Sequence, residues 1–216
     1  MDDAKSNIDT GNFKRIKTGL VVRFFCVFVV IYGSLTALWP VVGPGYSKFY
    51  RTGASVLFAK FGPNGVVRFH RSDNDLEDIN IILCNKAQID HDSKTIAGYQ
   101  VPHSSRYHGY YCTVLLIALI AATPVPLKRR GLAGLWAMLL IHAFIALKML
   151  ILIVNPFSTE PLCLFELSPF FEQMLAIATK VFVTYITPSF TVSVFIWILV
   201  SFRRQDWLKI LNVRKE

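Results

Sequence analysis

Charge is the property this sequence has least of. Only 17% of its 216 residues are charged, against about 25% in ordinary soluble domains, while 53% are hydrophobic. The shortage is uneven, because four long windows carry almost no charge at all. That excludes a disordered chain, a collagen-like or coiled-coil protein, and most ordinary soluble domains. Motifs that state a chemistry are missing too: no GxGxxG, Walker A, HExxH, GxSxG or paired CxxC occurs. Nucleotide-binding, zinc-protease and hydrolase readings therefore have no support. Four spans without internal repeats or broken helices argue against a secondary transporter, unless the protein oligomerises.

What is present is a set of apolar runs of membrane-spanning length. A hydrocarbon core of about 30 Å takes roughly 20 mostly apolar helical residues. Four spans are expected, at 20–42, 109–127, 131–154 and 175–202. Each should be helical, since lipid offers no partner for a backbone N–H or C=O. The fold class expected is a membrane α-helical, four-helix bundle. Pro188 is tolerable inside the last span if Thr184, Thr187 or a water satisfies the freed carbonyl. The first run follows a basic flank (Lys14, Arg15, Lys17) as a signal peptide would. Its length exceeds the roughly 7–15 residues of a signal core, so a retained anchor is the expectation.

Lysine and arginine orient the spans. Basic clusters lie in 1–19 (Lys5, Lys14, Arg15, Lys17), between spans two and three (Lys128, Arg129, Arg130), and in 203–216 (Arg203, Arg204, Lys209, Arg214, Lys215). The loop 155–174 carries Glu160, Glu166 and Glu172. All three clusters share one side if both termini are cytoplasmic, so the formal charge of +9 reflects topology and no nucleic-acid partner is expected.

Residues 43–107 then form the one sizeable segment outside the membrane, a small extracytoplasmic α+β unit. Tyr46, Phe49, Tyr50, Gly53, Val56, Leu57 and Lys60 are spaced as an amphipathic helix lying aromatic face down on the headgroups. A continuation of span one, kinked near Pro40 and Pro44, is the alternative. Gly62-Pro63-Asn64-Gly65 is a turn signal. Val66–Arg71, Ile79–Cys84 and Thr95–Val101 predict an antiparallel sheet of two to four strands. Asp73, Asp75, Glu77 and Asp78 lack the glycine and distal glutamate of a calcium loop and read as a solvated hairpin tip.

Candidate chemistry is thin. Cys112 follows His108 at i+4, a spacing open to a thiolate nucleophile or to chance. Cys84 and Cys163 are the candidate disulfide if the compartment is oxidising, and Cys26 is a small hydrophobe in span one. His91, between Asp90 and Asp92, has no spaced zinc partner, and no metal or cofactor is expected. His142 falls mid-span, as a functional group or as a neutral helix-packing histidine. Lys148 and Lys180 either snorkel to the headgroups or pair with Glu172 at the bundle mouth. Thr184, Thr187 and Thr191 share a face, with Ser193 adjoining, suited to helix packing. At the junction 102–111, Arg106, Tyr107, Tyr110 and Tyr111 suit headgroup level, with Arg106 on phosphate.

From Ser104-Ser105-Arg106-Tyr107-His108-Gly109-Tyr110, through an Ala/Leu-rich span, to Thr123-Pro124-Val125-Pro126-Leu127-Lys128-Arg129-Arg130-Gly131 and a second apolar span, the chain resembles the exosortase/archaeosortase family of bacterial membrane proteins. That family's thiol transpeptidase site takes an outward-facing Cys, an Arg at the end of the following span, and a later His or Arg. Here those positions fall on Ser104 or Ser105, on Lys148, and on a fourth span without His, so the resemblance implies no such activity. The chain is more similar to the four-span exosortase H-associated type. Tyr107-x-Gly109-Tyr110 matches that type's approach to the second span, and Thr187-Pro188 with Trp197 resembles its last span. The resemblance implies a non-enzymatic, multi-pass accessory protein of a bacterial inner (cytoplasmic) membrane, working in protein sorting or envelope assembly. Its partners would be the bilayer and a membrane-embedded exosortase or another envelope protein. The residues leave two alternatives: an atypical intramembrane thiol peptidase or transpeptidase using Cys112 or the His142 region, and a small lipid-binding or transport protein using the polar face of span four.

Overall fold

A computed structural model describes residues 10–74, 76–88, 98–160 and 162–201, with side chains from residue 19 and backbone alone at residue 88. Asp75, His91 with Asp90 and Asp92, the strand start at Thr95, and the basic residues Lys5, Arg203, Arg204, Lys209, Arg214 and Lys215 lie outside the described residues.

The first helix, α1 (Thr10–Ala37), is long and apolar enough to cross a membrane over Gly19–Ala37. Val21, Val22, Phe25, Val29 and Val30 stand exposed on it, and Cys26 is exposed too, as a lipid-facing surface requires. The helix stops at Ala37, short of the expected Val42. Pro40 has no N–H to give the carbonyl of Thr36, so the hydrogen-bond ladder of α1 is interrupted before it. It sits in the first turn of α2 (Trp39–Phe58), where its missing N–H costs nothing.

The residues of α2 expected to lie face down on the headgroups divide between two sides. Tyr46 packs on Tyr110 at 5.3 Å and Tyr50 on His103 at 5.7 Å, both inside the protein. Phe49, Val56 and Leu57 form the exposed side.

The expected antiparallel sheet has four strands in the order β1 (Lys60–Phe61), β2 (Gly65–Arg71), β3 (Ile79–Asn85), β4 (Tyr99–His103). Gly62 turns the first hairpin at φ +65°, a backbone region that side chains disfavour. Pairing of Val67 with Leu83, Phe69 with Ile81 and Ile81 with Val101 puts one apolar stripe on one face. That face rests on α2 and on the end of α4 (Leu127–Ser158), where Phe61 stacks on Phe157 at 5.3 Å. At 1.5 Å per residue the 32 residues of α4 reach about 48 Å. It outruns a hydrocarbon core, and its last turns become the sheet's pedestal.

Between the sheet and α3 (Tyr111–Ala122) lies one π turn, Arg106–Tyr110. Packed among α1, α4 and α6, α3 is the innermost helix. Its 12 residues reach only about 18 Å, less than the expected 109–127 span. The last expected span is broken as well. α5 (Pro169–Ala178) continues as a π turn, Thr179–Thr184, and then bends by 83° into α6 (Thr187–Ser201). Tyr185 is extended there, because the Pro188 ring would crowd the carbonyl of Thr184.

The protein is thus mostly helical with a small antiparallel sheet. Among the described residues, α1 and α4 are long and apolar enough to cross a membrane, and the α5–α6 pair makes a third if it counts as one broken span.

Candidate functional site

The junction expected to be an interfacial belt is also where the polar side chains converge. The π turn sets the start of α3 beneath the sheet, and wider turns of this kind recur at functional sites. His103, the last residue of β4, stacks on His108 with ring centres 4.8 Å apart. Its Nε2 shares a 2.9 Å hydrogen bond with the Tyr50 hydroxyl. Lys148, from α4, donates to Ser189 Oγ of α6 at 2.7 Å and lies 3.2 Å from His108 Nδ1. Ser193, one turn on, donates to the backbone carbonyls of Cys112 at 3.1 Å and Ser189 at 2.9 Å. One continuous polar chain thereby joins α2, β4, the π turn, α3, α4 and α6.

Burial is the dominant condition of this chain. Ser189 is 0% exposed, Cys112 1%, Lys148 5% and His103 7%. Burial, and then the neighbouring His108 and Lys148, hold His103 well below the usual imidazole range, so it is neutral. Burial also pushes the Tyr50 phenol up, and Tyr46 up to about 12. A neutral tyrosine beside a neutral histidine is the pairing such a site favours.

Lys148 neither snorkels nor pairs with Glu172. It is turned inward, while Glu172 is exposed in the first turn of α5 and Lys180 is exposed beyond it. His108 and Cys112 stand near one another as the spacing predicts, but the nucleophile–base bond is not made. His108 turns to Lys148, and the Cys112 thiol faces the Tyr107 carbonyl at 3.9 Å. His142 stays apart, bonded to the Met138 carbonyl at 2.7 Å and edge-on to Phe49. Thr184, Thr187 and Thr191 are exposed, so the packing face of α6 is Ser189, Ser193 and Ile196 instead.

Cys84 and Cys163 are both free thiols, against the disulfide expected. Cys84 is buried against Gly98, and burial pushes its thiol up, whereas Cys163 is exposed in the loop after α4. The acidic hairpin is not simply a solvated tip. Asp78 accepts the Ser105 amide at 2.7 Å and the Ser105 hydroxyl at 2.6 Å, pinning the hairpin to the junction. Among the described residues no group of three or more His, Cys, Asp or Glu side chains is placed to hold a metal ion.

Tyr107-x-Gly109-Tyr110 has a packing cause. A methyl group on Gly109 would come within 2.7 Å of the Tyr46 hydroxyl and 3.0 Å of the Tyr50 ring, so only glycine admits α2 this closely. Tyr110 donates to the Leu35 carbonyl at 2.6 Å, closing the end of α1. Tyr107 packs edge-on to Tyr111. Trp197 donates to Thr123 Oγ1 at 2.8 Å at the opposite end of α3.

Sequence reasoning missed Tyr50, His103, Ser189 and Asp78. Ser189 and Ser193 did carry a signal, two small polar residues one turn apart in an apolar helix. The other three meet only through the tertiary fold. Comparison with family models, curated proteins and solved structures returns no match for the chain.

Proposed function

We propose that this chain is a non-enzymatic accessory protein of an exosortase-like protein-sorting or envelope-assembly system in a bacterial inner membrane. It crosses the membrane four times, through α1, α3 with its π turn, α4 and the bent α5–α6 pair, with both termini cytoplasmic. The sheet and α2 form the extracytoplasmic face offered to a membrane-embedded partner.

The single observation that carries this reading is the sealing of every side chain suited to covalent chemistry at the junction. Cys112, Ser105 and Ser189 are at most 1% exposed, the Ser105 hydroxyl donates to Asp78, and the Ser189 hydroxyl accepts from Lys148. A nucleophile needs an open approach and a free base, and His108 is occupied by Lys148. The polar chain instead ties six elements into one platform, which is the property a docking subunit requires.

Thiol labelling of the detergent-solubilised protein tests the reading directly. Cys163 should react with a maleimide within minutes and Cys112 only after unfolding. Cys112→Ser should retain function in the native host, and affinity capture in mild detergent should recover a membrane-embedded peptidase. Rapid labelling of Cys112 with loss of function in Cys112→Ser would favour the thiol-enzyme alternative.

A further inference from the structure

Beside the sealed chain, and separate from it, an open groove of about 510 Å³ runs between the first half of α2 and the β2–β3 hairpin. Arg51, Arg71 and Arg106 line it, from three different elements, together with Ser47, Ser72 and Asp73. Arg106 is pre-set. Its Nε donates to the Tyr111 hydroxyl at 2.6 Å, and its guanidinium lies 5.6 Å from the centre of the Trp39 ring and 5.2 Å from that of Tyr111. That one hydrogen bond leaves both terminal amino groups for a ligand. Arg51 makes one long bond, to the Ser47 carbonyl at 3.4 Å, and Arg71 makes no hydrogen bond or ion pair among the described residues.

Among the described residues that line the groove, two carboxylates face these three cations. Asp78 is satisfied by Ser105, which leaves Asp73 as the one described acidic group open to a ligand. Positive charge therefore exceeds negative, on rigid forks that suit a tetrahedral oxyanion. Depth supplies the second constraint. Trp39 lies two residues beyond the apolar window ending at Ala37, the level where aromatic rings mark the headgroup region.

We infer that the groove formed by Arg51, Arg71 and Arg106 binds a phosphate ester at the membrane surface. The inference needs α1 to cross the membrane but does not depend on the accessory role. Two sources carry that chemistry, the headgroup of an anionic phospholipid and a water-borne phosphate.

Native mass spectrometry of the full chain in mild detergent, loaded with phosphatidylglycerol or with diacylglycerol, reads the site. Phosphatidylglycerol should be retained and diacylglycerol lost. Arg71→Gln, at an exposed and unbonded position, should weaken retention about fivefold, and Arg71→Lys should restore most of it. Asp73→Asn should tighten it, a sign that general destabilisation would not produce. Excess inorganic phosphate that fails to displace the lipid assigns the site to headgroups. Displacement assigns it to water-borne phosphate, and either result keeps the groove as a phosphate site. Equal retention of the two lipids, or retention unchanged in Arg71→Gln and Arg106→Gln with helicity intact, would overturn the inference.

Discussion

Two apolar helices of similar length, α3 and α5, have opposite surroundings. Most of the 12 residues of α3 are buried, and its backbone neighbours belong to three other helices. Among the 10 residues of α5 none is buried, and Phe170, Phe171, Met174 and Ile177 all face outward. Composition alone would assign both to the same environment. What separates them is the bend before α6, which swings α5 off the bundle, and the π turn, which draws α3 beneath the sheet. Apolar content selects the solvent a segment tolerates, whereas the breaks on either side select its neighbours.

The contrast can be tested most forcefully with phenylalanine. Phe157 is wholly buried against Phe61, so Phe157→Ala should cost about 3–5 kcal/mol in a denaturant titration in detergent. Phe171→Ala, on the exposed face of α5, should stay within about 0.5 kcal/mol. Phe157 belongs to the end of α4, and equal costs would mean that α5 is packed as tightly as that buried end.

Glycine gives the next largest difference. Gly109→Ala forces a methyl group against Tyr46 and Tyr50 and should destabilise by about 1–3 kcal/mol. Gly45→Ala, with open space around it in α2, should be neutral or stabilise by up to about 1 kcal/mol. The shift in thermal midpoint of each variant, read side by side, checks the close approach at the junction.

The smallest effect is one of pH. His103 is held neutral in the folded protein, while the unfolded chain takes up a proton below about 6.5. Its contribution is therefore complete above about pH 6.5 and is lost as pH falls from there toward the depressed folded value. Thermal melts between pH 7.5 and 5 should show wild-type losing more stability than His103→Gln. Parallel losses would place the titrating groups elsewhere.

Much of the architecture was readable in the chain. The alternation of Val67 and Phe69 with Arg68 and His70, and the β-branched run from Ile79, predicted the strands that pair as β2 and β3. Gly62 does mark a turn, but Lys60, expected in the amphipathic helix, lies in β1. The apolar windows predicted helices, and α1 and α4 have the length and character to cross a membrane. Their ends were harder to place, since Pro40 and Pro188 each break a helix that hydrophobicity would have continued. At the site, His108, Cys112 and Lys148 were singled out individually, but their partners were not. Spacing of i+4 describes one helix, and the bonds that matter join residues 41 and 53 positions apart.

Local sequence, then, determined which segments are apolar enough to cross a membrane and most of the helices and strands, because both follow from side-chain polarity and its period along a few turns. Only the tertiary structure decided that Lys148 points inward and that Tyr50, His103 and Asp78 act at the junction. A buried polar atom must find its partner in three dimensions, and that partner is whichever group the packed helices and sheet bring within reach.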